Sequence, residues 1–118
     1  MLKRPALLLL FGLVALVPGA AAAQQISEAA DKVLWCGSAF FWLATNASDS
    51  GDEAEAEQYQ AWSDTLMAKG VALLKADKLD ANAIEHIVDS YDNAVVAELG
   101  TPQSRYDVTT CPALVLRK

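Results

Sequence analysis

The chain has few of the residues on which catalysis and metal binding depend. His86 is the only histidine among 118 residues, whereas a metal or catalytic site needs several converging groups. No serine lies in a G-x-S-x-G nucleophile elbow, and haem-attachment, P-loop and dinucleotide-binding motifs do not occur. We therefore expect a protein that is not an enzyme and holds no metal or cofactor. We also expect His86 on the solvent-exposed side of its helix.

Basic residues are scarce as well. Of nine lysines and arginines, Lys3 and Arg4 precede Ala23, while all fifteen acidic residues follow it. Seven basic residues against fifteen acidic ones leave a formal charge of −8 after Ala23. Because phosphate binding needs a basic surface, nucleic acid is not an expected partner, and anionic membrane surfaces are disfavoured for the same reason.

Residues 1–23 have the three-part pattern of a secretory signal peptide. A positive start at Lys3 and Arg4 is followed by a long apolar run and then by small alanines. An uncleaved membrane anchor is the alternative, but it needs roughly 20 apolar residues and a Pro-Gly pair interrupts the run. We predict cleavage after Ala23, a single helical domain over residues 24–118, and no stable membrane insertion. The alanine-rich signal is typical of bacteria, which favours the periplasm over an extracellular location.

Only two cysteines are present, Cys36 and Cys111. In an oxidising compartment, one pair implies one disulfide bridge. A redox-active or ligand pair is the alternative, but no C-x-x-C spacing supports it. The bridge would close a loop over most of the domain, which chain-entropy models value at about 4–5 kcal/mol before any strain.

Apolar residues recur at helical spacing in three segments, and no segment alternates as a strand would. The first helix is predicted over about residues 27–46. The second begins at Ser50, with Glu53 at capping-box spacing, and the third begins at Asp80. Short connections favour antiparallel neighbours. We predict an all-α fold, a small antiparallel three-helix bundle closed by one disulfide, in which residues 101–118 form a short fourth helix or an extended strap.

Each predicted helix has an apolar stripe, and the first is apolar around most of its circumference, so we expect it to be central. The expected core stripes are Ile26, Ala29, Val33, Gly37, Phe40 and Ala44 on the first helix; Tyr59, Trp62, Ser63, Leu66, Gly70 and Leu73 on the second; and Ile84, Ile87, Val88, Tyr91 and Val95 on the third.

An acidic cluster precedes and opens the second helix. Negative charge there complements the helix dipole, so we interpret the cluster as a solvated helix start, with weak cation binding as the alternative. Its members are Asp49, Asp52, Glu53, Glu55 and Glu57.

Two tryptophans, Trp35 and Trp42, lie seven residues apart on the polar side of the first helix. One explanation is burial beneath the C-terminal segment, because Leu114 and Leu116 need an apolar site. The other is an exposed patch for a protein partner, formed by Trp35, Trp42 and Phe41, since tryptophan is favoured at interface hot spots.

The sequence supports three functional hypotheses. The first is an exported protein-binding module, such as a chaperone, an inhibitor or an immunity-type factor, whose partner is another exported or envelope protein. In size, helicity, acidity and single disulfide, the chain is similar to the acid-stress chaperones of the bacterial periplasm, although no motif is shared. The second is a structural, envelope-associated domain without a ligand, and the third is a small-molecule carrier with a pocket between helices. An exposed face with Trp35 and Trp42 would favour the first, a closed surface the second, and a cavity the third.

Overall fold

A computed structural model describes residues 26–117 of the chain. Its long helices are α1 (Glu28–Asp49), α2 (Glu53–Ala76) and α3 (Ala81–Glu98). A 3₁₀ turn (Val108–Thr110) and a five-residue helix, α4 (Pro112–Leu116), follow them. No strand occurs over the described residues, so the predicted all-α bundle is confirmed, and its C-terminal segment contains a short fourth helix.

The predicted signal peptide, residues 1–23, lies outside the described residues and stays a prediction. Between residues 26 and 117, no helix is both long and apolar enough to cross a bilayer.

Side-chain caps decide where the long helices begin. Ser27 Oγ accepts a hydrogen bond from the backbone N–H of Ala30 (3.1 Å) at the start of α1. Asp80 does the same for the N–H of Ala83 (2.8 Å) at the start of α3. These bonds satisfy donors that have no partner inside the helix. Both starts agree with the sequence prediction.

The predicted start of α2 at Ser50 is wrong. α1 continues three residues beyond its predicted end, and the N–H of Ser50 donates to the carbonyls of its last turn. Gly51 then reverses the chain with φ of 85°, a left-handed conformation that glycine adopts without a steric penalty. α2 begins only after this turn, capped by the Asp52 carboxylate, which accepts from the N–H of Glu55 (3.1 Å).

α1 is the central helix. Residues 34–40 are seven consecutive buried positions, and successive residues turn by about 100° around a helix, so neighbours must cover every side. α2 packs against the side that carries Gly37 and Phe40, and α3 packs against the side that carries Trp35 and Ser38. The expectation of a central first helix is confirmed.

α1 and α2 approach closely because glycines face bulky side chains. A Cβ built on Gly70 would lie 2.8 Å from Leu34 Cγ and closer still to Leu34 Cδ2. A Cβ built on Gly37 would lie 3.3 Å from Met67. One turn before Met67 on α2, the buried Ser63 hydroxyl donates to the Gly37 carbonyl (2.8 Å).

α3 packs mainly against α1, with only a small contact to α2. Its buried residues are Ile84, Tyr91 and Val95, which belong to the predicted stripe. A polar contact reinforces this packing, because Ser38 Oγ on α1 donates to Asp92 Oδ1 (2.7 Å).

The disulfide joins Cys36 in the middle of α1 to Cys111, directly before α4. Both cysteines are fully buried, and their Cα atoms are 5.5 Å apart. The predicted bridge is therefore confirmed. It fixes the C-terminal segment to the central helix, 75 residues earlier in the chain.

Lys69 holds α4 against α2. Its ammonium donates to the carbonyls of Leu114 (2.8 Å) and Arg117 (2.5 Å), which a five-residue helix leaves without internal donors. Leu114 packs against the core, but Leu116 is 79% exposed, so the expectation that both leucines are buried is wrong for Leu116.

Candidate functional site

Trp35, one of the three residues predicted for a partner-binding patch, is fully buried. Its indole N–H donates to Glu98 Oε1 (3.0 Å), and its ring meets the Tyr106 ring edge-on, with centroids 5.6 Å apart. No partner can reach it in this conformation, so its proposed place in an exposed patch is corrected. Glu98 and Tyr106 both contact it, and Tyr106 belongs to the C-terminal segment, so the alternative of burial beneath that segment is confirmed for Trp35.

Trp42 is half-buried, and its indole N–H donates to the backbone carbonyl of Asp92 (3.1 Å). Phe41 beside it is 38% exposed and packs edge-on against the Trp42 ring, with centroids 5.2 Å apart. Of the three predicted patch residues, only Phe41 is an exposed one. Its role in binding a protein stays a prediction.

The polar side of α1 faces a network of charged and hydroxyl-bearing side chains. The Asp31 carboxylate on α1 accepts hydrogen bonds from the hydroxyls of Tyr91 and Tyr106 and from the Arg105 guanidinium (3.0 Å). Arg105 also donates hydrogen bonds from two guanidinium nitrogens to the Glu98 carboxylate, at 2.8 and 3.2 Å. This network joins α1, α3 and the segment that follows α3.

The network shifts the pKa values of its members. Burial, followed by the hydrogen bond to Asp31, raises the pKa of Tyr106 to about 12 and that of Tyr91 further. Burial would raise the pKa of Glu98, but the hydrogen bonds from Arg105 and Trp35 outweigh it and hold that pKa below its usual value. Hydrogen bonding to Glu98 in turn raises the pKa of Arg105. At neutral pH both tyrosines therefore keep their hydroxyl protons, while Glu98 is negatively charged and Arg105 positively charged.

His86 and the acidic cluster occupy the places that the sequence predicts. His86 is exposed on α3, which confirms its outward orientation. All five acidic residues of the cluster are exposed, and Asp52 is the cap of α2. Within residues 26–117, no group of three or more His, Cys, Asp or Glu residues is arranged to hold a metal ion.

A groove of about 830 Å³ lies between the first half of α1, the second half of α2 and the C-terminal segment. We call it the basic groove. Its lining combines apolar residues from all three segments with three cations, and the residues that define it are Val33, Leu73, Leu114, Lys32, Lys69 and Arg117.

The groove forms where two predicted core stripes are left uncovered. Gly70 and Leu34 draw α1 and α2 together, but towards the start of α1 the facing residues include Ala29 and Ala72, whose methyl groups are too short to fill the space. Ala29 is exposed and Val33 is only half-buried, although both belong to the stripe predicted as core. Helical periodicity identified these residues as apolar, but it could not reveal that neighbouring elements leave both of them partly or wholly uncovered.

Tyr106 connects the basic groove to the charged network. Its ring forms part of the groove wall and lies 5.7 Å from Lys32 Nζ, while its hydroxyl donates to Asp31 on the other side (2.5 Å). The position of this wall therefore depends on the same carboxylate that binds Arg105.

The sequence pattern did not predict the basic groove. The cationic lining comes from three separate segments, so no local motif contains it. Comparison with family models, with curated proteins and with solved structures gave no match for this chain, so only the geometry and charge of the groove bear on its role.

Proposed function

We propose that this protein is an exported, non-catalytic carrier that binds a small, largely apolar molecule in the basic groove. The observation that carries the proposal is the groove itself. Its volume of about 830 Å³ falls within the roughly 300–1,000 Å³ typical of small-molecule sites. Two other hollows on the described surface are smaller, about 440 and 380 Å³, and their linings are more polar.

The remaining surface offers few competing apolar sites. Among the described residues, the exposed large hydrophobic side chains are Phe41, Val96 and Leu116, and none of them lines the groove. A carrier needs a binding site with rigid walls. The buried disulfide and the two hydrogen bonds from Lys69 together fix the C-terminal wall of the groove. Export is supported by the signal-like residues 1–23 and is compatible with the disulfide.

Binding of Nile red, a neutral apolar dye, tests the carrier proposal. Wild-type protein is expected to bind one dye per chain, with the rise in fluorescence that an apolar site produces. Ala72→Phe fills the groove from α2 and is expected to weaken binding at least about tenfold, since the site then lacks room for the ligand. Ala54→Phe is the matched control, because Ala54 is exposed on the same helix but does not line the groove.

Two results would count against the carrier. One is wild-type protein that does not bind the dye, and the other is equal binding by the Ala72→Phe and Ala54→Phe variants. Dye binding lost in both variants would mean that α2 is disturbed, so melting curves of both are recorded alongside. A protein without any ligand would leave the structural, envelope-associated role as the explanation.

A protein-binding module is the second candidate, and the exposed Phe41 favours it. Phe41 presents an aromatic edge to solvent beside the half-buried Trp42. Phe41→Ala should remove binding of an envelope partner and lower the melting temperature only modestly, because part of the ring is exposed. Val96→Ala is the matched control, because Val96 is an exposed apolar residue of α3. Equal losses of binding in both variants would argue against a specific role for Phe41.

A further inference from the structure

Positive charge is concentrated in the basic groove of an acidic protein. The chain carries fifteen acidic residues, yet Glu28 is the only one that lines the groove. Three of the seven basic residues that follow Ala23 line it, namely Lys32, Lys69 and Arg117. The groove is therefore locally cationic although the whole chain is strongly negative.

No carboxylate of the described residues forms an ion pair with these cations. Within residues 26–117, both ion pairs are made by Arg105, which lies outside the groove. Lys69 donates to two neutral carbonyls, which leaves one of its three N–H donors for a further acceptor. Lys32 lies over the face of the Tyr106 ring, an interaction that also leaves its charge unneutralised.

We infer that the groove binds a single-chain amphipathic anion. The acidic head group is bound by Lys32, Lys69 and Arg117, and the aliphatic chain lies against Val33, Leu73 and Leu114. This inference rests on the proposed carrier function and adds the chemical class of the ligand. A free fatty acid and a lysophospholipid share this chemistry of one acidic head and one acyl chain.

The dimensions of the groove favour a single chain over a helical partner. An α-helix is about 10 Å wide with its side chains, so a volume of about 830 Å³ would hold only about two turns of it. Two turns offer few anchoring residues, whereas a single acyl chain is small enough to lie within this volume along its whole length. A second copy of this chain could cover the groove instead, and the experiment below includes a measurement that detects such a dimer.

Displacement of Nile red from the chain that begins at Gln24 tests the ligand class. The competitors are dodecanoate, dodecyl phosphate and lysophosphatidylglycerol as anions, and dodecyltrimethylammonium as the cation with the same chain. Each is used below its micelle concentration. The anions are expected to displace the dye at concentrations at least about tenfold lower than the cation. This preference should shrink at about 0.5 M NaCl, because salt screens exposed charges. Dodecanoate and lysophosphatidylglycerol form separate arms, so the stronger competitor identifies the source of the ligand.

Charge variants assign the head-group site. Lys32→Gln and Arg117→Gln are each expected to weaken dodecanoate binding about two- to fivefold, since exposed ion pairs are individually weak. Nile red has no acidic head group, so its binding should weaken less than that of dodecanoate in both variants, and the ratio of the two affinities is the readout. Lys75→Gln is the matched control, because it removes the same charge from an exposed position of α2 outside the groove. Lys69 is left intact because it also holds α4.

The outcomes separate the inference from the carrier function on which it rests. If Nile red binds but the cation competes as well as the anions, the carrier stands and the anionic ligand is wrong. If Lys75→Gln weakens dodecanoate binding as much as Lys32→Gln, only net charge matters and the head-group site is wrong. A dimer mass by light scattering, together with dye binding that occurs only after the dimer dissociates, would show that a second copy covers the groove. That result would overturn the inference.

Discussion

Replacing Gly70 with alanine should destabilise the protein, although alanine is the better helix former. Gly70 lies in the middle of α2, where Gly to Ala normally gains about 1 kcal/mol of stability. Here the new methyl group would lie 2.8 Å from Leu34 Cγ and closer still to Leu34 Cδ2. Leu34 is fully buried, so its side chain can move away only by displacing the core residues packed around it.

The expected magnitude follows from these two opposing effects. Overpacking of a tight core costs about 1–3 kcal/mol, and a contact this short places Gly70→Ala near the upper end. Subtracting the gain of about 1 kcal/mol in helix propensity leaves a net loss of about 2 kcal/mol. For a domain of this size, that loss lowers the melting temperature by about 8–16 °C.

A double-mutant cycle with Leu34→Ala isolates the contact. Leu34→Ala alone should cost about 2–5 kcal/mol, because it leaves a cavity. In that background the methyl group added at position 70 enters the vacated space, so Gly70→Ala should become stabilising by about 1 kcal/mol. The coupling between the two positions is then about 3 kcal/mol, at the upper end of values for residues in contact.

Urea unfolding followed by circular dichroism measures all four proteins. Ala68→Gly, at an exposed position of the same helix, is measured beside them to give the local difference between alanine and glycine. If Gly70→Ala stabilises the wild-type protein by that same difference, α1 and α2 do not approach as described. The packing argument would then fail, and with it the explanation of where the basic groove begins.

Four further predictions follow from the fold. Reducing the Cys36–Cys111 bridge, which spans 75 residues, should cost about 4–5 kcal/mol; a thermal melt unaffected by reductant would contradict this. In the folded state the pKa of Glu98 lies below its ordinary value of 4.5. Glu98 therefore contributes its full stabilisation above pH 4.5, and this contribution is lost as the pH falls through the lower pKa of the folded state. In the Glu98→Gln variant, the free energy of unfolding should therefore depend less steeply on pH below 4.5. An unchanged dependence would mean that other carboxylates cause the loss of stability in acid. Trp35→Ala should cost about 3–5 kcal/mol, because the side chain is fully buried; an unchanged melting temperature would restore the exposed-patch hypothesis. His86→Ala should alter stability by no more than about 0.5 kcal/mol in urea titrations, since the side chain is exposed, and a larger loss would indicate a partner for His86.

Local signals in the sequence predicted most of the fold. The caps Ser27 and Asp80 mark the starts of two helices, because a side-chain oxygen at that position satisfies backbone donors of the first turn. The start of α2 was misplaced because Ser50 and Asp52 both have the chemistry of a cap. Only the turn at Gly51, which the end of α1 imposes, selects the second of them.

The two tryptophans illustrate what a helical period cannot supply. The spacing of Trp35 and Trp42 correctly places them on the polar side of α1, but the period does not say which element faces that side. α3 faces that side, and Glu98 and the Asp92 carbonyl accept the indole N–H groups. Trp35 is therefore buried there and Trp42 is half-buried.

The sequence alone determined the helices, their apolar faces and the disulfide partners, because each depends on local spacing or on there being only two cysteines. The tertiary structure alone decided which apolar positions stay uncovered. Ala29 and Val33 have the same pattern as the buried Gly37 and Phe40, yet they line a groove because the facing Ala72 is too small to reach them. The cations that join them there come from α1, α2 and the C-terminal segment, which only the folded chain brings together.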